Sequence, residues 1–188
     1  MKAIAKFRVS SILLRIPKSD QTEPLGRGGE FARVNLMMEP RQRLGGIEAG
    51  GTKIVCSLGA ENGELEESES FKTESPEVTI PKIIQWYESR VLPEAFGVGT
   101  FGPVNLNEGA DYGRIEKTPK PGWEGFSWTE ALHQAFRKPV AVATDVEAAG
   151  LAEWKYGVGR GQRLIVYYTI GTGIGAGILL NGEFLRGR

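Results

Sequence analysis

From Leu44 onward the chain follows an order that few architectures accommodate: three strand-like runs joined by tight turns come first, and only then do helical and strand-like runs alternate. The first three strands are Gly45 to Ala49, Lys53 to Leu58 and Glu64 to Lys72. Gly50-Gly51 and the hairpin signal Asn62-Gly63 connect them. Ile80, Ile83, Ile84 and Tyr87 then fall at helical spacing, and Pro81 suits that helix only if it starts close to Thr79. A short strand, Ala95 to Gly99, precedes a glycine- and proline-rich loop from Phe101 to Gly125. Ser127-Trp128-Thr129-Glu130 has the pattern of a capping box, opening a helix whose apolar face is Trp128, Ala131, Leu132, Ala135 and Phe136. A buried-type strand Pro139 to Thr144, a helix Asp145 to Tyr156 stopped by Gly157, and another buried-type strand Arg163 to Ile170 complete the series. The order β-β-β-α-β-α-β-α predicts an α/β fold with helices against a mixed sheet.

Gly171 to Phe184 reads as the start of a second meander that turns at Asn181-Gly182. Three parts are therefore expected: a basic extension over 1–43, a first domain over 44–160, and the opening of a second domain over 161–188 that reads as cut short. Met1 to Arg43 holds nine basic and four acidic residues, so the extension is positive and the remainder correspondingly negative. Arg8 and Arg15 break every apolar run in it, which does not fit a secretory signal, and its scattered cations fit a transit peptide only loosely. It reads as a disordered or adventitious tail ahead of Met37-Met38.

Over the whole chain 23 basic residues balance 23 acidic ones, which leaves no general field for nucleic acid or an anionic membrane. No run approaches the roughly 20 apolar residues that span a bilayer. One cysteine, Cys56, and one histidine, His133, supply neither an internal disulfide nor a zinc site. A cytoplasmic protein without nucleic-acid or membrane partners is the expectation. Trp86, Trp154, His133 and the acidic run Glu64 to Glu69 read as packing or solvated surface.

Two glycine-rich turns carry the chemistry. Ala49-Gly50-Gly51-Thr52-Lys53 lies between the first two strands, and Gly171-Thr172-Gly173-Ile174-Gly175-Ala176-Gly177 follows a strand. Glycine lets several amides converge on phosphate oxygens, and Thr52 or Thr172 adds a hydroxyl, although either turn alone equally suits a plain hairpin. The second run also matches a dinucleotide fingerprint, but that pattern has to open a helix, and Ile178 to Phe184 reads as strand and hairpin. No P-loop pattern is present. Asp145 stands where a strand passes into a helix, the edge at which α/β sheets place ligands. It reads either as an ordinary helix N-cap or as a proton acceptor.

Taken together, Gly45 to Lys53, Phe101-Gly102-Pro103-Val104, Thr118-Pro119-Lys120-Pro121-Gly122-Trp123, Thr144-Asp145-Val146 and Gly171 to Gly177 resemble, in order, the ROK family of sugar kinases and its bacterial fructokinase branch. The resemblance spans about Leu44 to Arg188. It implies the actin-like, ribonuclease H-like ATPase fold, with ATP and a hexose, most simply fructose, in a cleft between two domains. By that similarity Gly50, Gly51, Thr52 and Lys53 form the first phosphate loop, and Gly171, Thr172 and Gly173 the second. Asp145 is the base that deprotonates the sugar 6-hydroxyl. Gly102, Pro103, Thr118, Pro119 and Lys120 belong to the hexose pocket, and Glu48 lies near Mg²⁺ and the phosphates.

Two departures from the family pattern stand out. Glu147 replaces an expected Asn two residues after the base; it reads either as a sugar contact that only accepts hydrogen bonds or as part of a solvated helical turn. The zinc-binding His/Cys cluster, the adenosine-contacting glycines and the rest of the sugar site are expected beyond Arg188, and a homodimer is expected, if at all, only of the complete form. A catalytically inactive sugar- or phosphate-binding remnant is the alternative. A repressor of the same family is disfavoured, because 1–43 has no pair of helix-period segments.

Overall fold

In a computed structural model the described residues are 42–170 and 174–186. The proposed basic extension thus lies almost wholly outside them, as does the run Gly171 to Gly173. Strands β1 (Arg43–Ala49), β2 (Lys53–Ala60) and β3 (Leu65–Lys72) form the predicted meander. Helix α1 (Pro76–Glu88), strand β4 (Ala95–Thr100), helix α2 (Trp128–Phe136), strand β5 (Val140–Thr144) and helix α3 (Asp145–Tyr156) follow. Strands β6 (Leu164–Ile170), β7 (Ile174–Leu180) and β8 (Glu183–Phe184) form a separate antiparallel sheet.

The larger sheet has the order β3-β2-β1-β4-β5. β1 is antiparallel to β2 and parallel to β4, which is parallel to β5. Both hairpin signals hold. Gly63 has φ +87° and donates its N–H to the Ala60 carbonyl at 2.9 Å, while Asn181 and Gly182 take φ of +53° and +80°. Such paired positive angles match the strands' right-handed twist.

Ile47, Ile54, Leu58, Ile83, Tyr87, Phe96, Val98, Trp128 and Leu132 are completely or almost completely buried between one face of the sheet and helices α1 and α2. The Tyr87 hydroxyl donates to the Gly46 carbonyl at 2.7 Å, pinning α1 to β1. Burial pushes the Cys56 thiol well above its usual range, so it stays protonated and packs as a small apolar group.

α1 begins at Pro76, three residues earlier than expected, with Ser75 as its N-cap and Pro81 inside it. Pro76 sits where the first helical N–H has no partner anyway, and Pro81 lies on the exposed side, where water can satisfy the carbonyl it leaves unpaired. The Ser127 box is half formed. Ser127 Oγ accepts from the Glu130 N–H at 3.2 Å, but the Glu130 side chain engages Gln134 and Arg114 instead.

β6 departs from the buried type. Ile165, Tyr167 and Thr169 are partly covered, whereas Leu164, Val166, Tyr168 and Ile170 face outward, Ile170 being 83% exposed. Its unbroken apolar run therefore reflects one face on α3 and one open face.

β5 would leave an open edge, and the loop closes it with one side chain. The Tyr112 hydroxyl accepts from the Val142 N–H at 2.7 Å and donates to the Val142 carbonyl at 2.9 Å, replacing a neighbouring strand for one residue. Tyr112→Phe is expected to lower the unfolding free energy by about 1–3 kcal/mol, because it orphans both backbone groups while changing little volume; chemical denaturation measures it.

Candidate active site

β1, β4 and β5 run parallel, so their carboxyl ends lie at one edge of the sheet. That edge gathers the Gly50-Gly51 turn after β1, Phe101-Gly102-Pro103 after β4, and Asp145 after β5. The Phe101 N–H donates to the Ala49 carbonyl at 2.8 Å, extending the ladder up to the glycine turn.

The turn itself is asymmetric. All four carbonyls from Gly50 to Lys53 accept hydrogen bonds from within the protein: Gly50 from Thr73 Oγ1 at 2.8 Å, Gly51 from Lys120 Nζ, Thr52 from the Thr73 N–H at 3.0 Å, and Lys53 from the Gly50 N–H at 2.9 Å. The amides of Gly51 and Thr52 have no partner among the described residues. A turn that directs its carbonyls inward and leaves two N–H groups outward is suited to receive an anion. Lys53 opens β2 and is exposed.

Lys120 reaches the turn from the loop carrying Thr118 and Pro119. Its N–H donates to Thr118 Oγ1 at 3.4 Å, and its side chain lies so close across Gly51 that a Cβ there would stand 3.0 Å from Lys120 Cε. Trp123, 1% exposed, anchors this loop by donating from Nε1 to the Glu74 carbonyl at 2.7 Å. Gly102 and Pro103, joined by a cis peptide, occupy the same edge.

Asp145 is the first residue of α3, not its N-cap. Thr144 takes that place, with Oγ1 accepting from the Glu147 N–H at 3.2 Å and its own N–H donating to Glu147 Oε2 at 3.0 Å. The complete capping box thus stands at Thr144 to Glu147, a T-x-x-E pattern that is present in the sequence. Asp145 is half-buried, and its Oδ1 accepts from the Val146 N–H at 2.9 Å.

The solvated-turn reading of Glu147 does not hold. The residue is 7% exposed, and Arg186 Nε donates to its Oε1 at 2.7 Å. Arg186, beyond β8, was not singled out from sequence, since no local signal links positions 39 apart.

α3 is gripped on two sides. A Cβ on Gly99 of β4 would come within 2.8 Å of Ala148 Cβ and 3.8 Å of Asp145 Cα, while one on Gly177 of β7 would meet the Val146 carbonyl oxygen at 2.7 Å. Only glycine allows either approach. Glu48 pairs with Gly99 across the ladder, and strand alternation puts its side chain on the sheet face that α3 covers. Among the described residues no cluster of three or more His, Cys, Asp or Glu side chains is available to hold a metal ion. No helix among them is long and apolar enough to cross a membrane.

Residues 44–188 match the family model described as ROK family. The chain is 43% identical over 145 residues to a putative fructokinase of Bacillus subtilis, covering 77% of this chain and 48% of that protein. It is 39% identical over 146 residues to a fructokinase of Pediococcus pentosaceus, covering 77% of this chain and 50% of that one. A ROK family glucokinase from Streptomyces griseus, solved with glucose and AMPPNP, superposes with a TM-score of 0.67 at 26% identity, over 78% of this chain and 47% of that one. The chain spans about half the length of each of these relatives. Its fold is the actin-like ATPase fold of ROK sugar kinases, of which it covers about half.

Proposed function

Because the chain belongs to the ROK family over residues 44–188, we propose that it supplies half of an ATP-dependent hexose kinase whose acceptor is fructose. The observation that carries this reading is the shared strand edge: an outward-facing pair of amides at Gly51 and Thr52, a carboxylate at Asp145, and a loop from Thr118 to Trp123 whose Lys120 touches the glycine turn. The two fructokinase relatives favour fructose.

In this reading Gly50, Gly51, Thr52 and Lys53 bind nucleotide phosphates through backbone N–H groups, assisted by Gly171, Thr172 and Gly173. Gly102, Pro103, Thr118 and Pro119 orient the hexose, and Asp145 accepts the proton of the attacking hydroxyl at a carboxylate oxygen. Phosphoryl transfer asks mainly for such positioning and for charge neutralisation. Magnesium brought in with the nucleotide would supply part of that neutralisation, and Glu48 is the acidic side chain that the resemblance puts near it. The boundary near residue 160 separates the two domains between which the substrates meet.

A chimera in which residues 44–188 replace the N-terminal half of the Bacillus subtilis relative tests the proposal. ATP-dependent phosphorylation of fructose, followed by coupled release of ADP, is the expected result. Preference for glucose or mannose corrects the acceptor, and a folded chimera that binds sugar without turnover supports the remnant reading instead.

A further inference from the structure

The resemblance assigns Lys120 to the hexose pocket, but its ammonium lies on the phosphate turn. We propose that Lys120 is a positioning residue for that turn, orienting the Thr52 amide beside the Gly51 amide that Thr73 orients, and thereby tying the hexose loop to the phosphate cradle. The inference rests on the phosphate reading above and adds to it a residue that sets the cradle's geometry.

A peptide unit is planar and trans, so its C=O and N–H point in opposite directions. Thr73 Oγ1 holds the Gly50 carbonyl at 2.8 Å, which turns the Gly51 N–H away from Thr73. Lys120 Nζ holds the Gly51 carbonyl, which turns the Thr52 N–H away from Lys120. Lys120 is the hydrogen-bond partner of the Gly51 carbonyl, and without it that peptide plane is freer to rock about ψ of Gly51, where glycine imposes no side-chain barrier, although Thr52 opposes a full flip. A cation on a carbonyl also polarises its peptide unit, making the N–H at the other end a better donor. The contact joins residues 69 positions apart, so it reports whether the loop from Thr118 to Trp123 is seated.

The test uses ¹⁵N-labelled 188-residue chain with inorganic tripolyphosphate as probe. In the unsubstituted chain, tripolyphosphate shifts the Gly51 and Thr52 amide resonances. Lys120→Met moves the Thr52 resonance before any ligand is added, leaves that of Gly63 in place, and weakens tripolyphosphate roughly tenfold, the low end for losing a hydrogen bond to a charged group. Lys120→Arg restores most of the affinity. A ligand-free Thr52 resonance that ignores Lys120→Met overturns the proposal even if affinity falls, because a distant Coulombic effect alone then accounts for the loss. Unchanged affinity in Lys120→Met also overturns it and leaves the phosphate reading intact. If tripolyphosphate shifts neither amide in the unsubstituted chain, the phosphate reading fails and the proposal with it.

Discussion

Asp145→Asn in the chimera is expected to reduce fructose phosphorylation by about two to four orders of magnitude, the usual contribution of a positioned general base. The substitution is close to isosteric. Its side-chain oxygen still accepts from the Val146 N–H, a contact of 2.9 Å, so the first turn of α3 survives. Thr144 and Glu147 cap the helix independently of Asp145. Thermal stability and nucleotide affinity should therefore match those of the parent. Parent-like turnover by this variant removes Asp145 from the chemistry.

Trp123→Ala is expected to destabilise the chain by about 3–5 kcal/mol, as for other buried aromatic truncations. The indole packs edge-on against Phe101 and Phe126, with ring centroids at 5.4 and 5.0 Å, and lies at a shallower tilt against Trp128 at 5.4 Å. It also supplies the hydrogen bond to the Glu74 carbonyl. Its removal leaves a cavity and unseats the stretch from Thr118 to Gly122, so Lys120 loses its approach to Gly51. Urea denaturation reads the stability loss; one below about 0.5 kcal/mol, within the range of ordinary surface substitutions, shows that the indole does not hold the loop.

Local pattern made much of the fold legible before the structure. The Asn62-Gly63 and Asn181-Gly182 turns, the helical spacing of Ile80, Ile83 and Tyr87, and the strand-to-helix passage at Asp145 all depend on neighbours a few residues away. What escaped depends on distance in sequence. Nothing near Lys120 points to Gly51, nothing near Glu147 points to Arg186, and the open face of β6 follows from which elements happen to cover it. The start of α1 was missed for a different reason. Pro81 suits a helix start near Thr79 on local grounds, whereas its exposed position makes it tolerable further inside. Thr144 and Glu147 carry the same capping-box spacing as Ser127 and Glu130, and only the fold decides which box closes fully.

The double clasp on α3 bears on how mutational data for this chain should be interpreted. With backbone or methyl contacts waiting at 2.7–2.8 Å beyond Gly99 and Gly177, a single added methyl acts as a wedge that tilts the helix and displaces the Asp145 carboxylate at its start. Genetic screens will thus score two residues whose tight contacts are with a helix as if they belonged to the chemistry, one from each sheet.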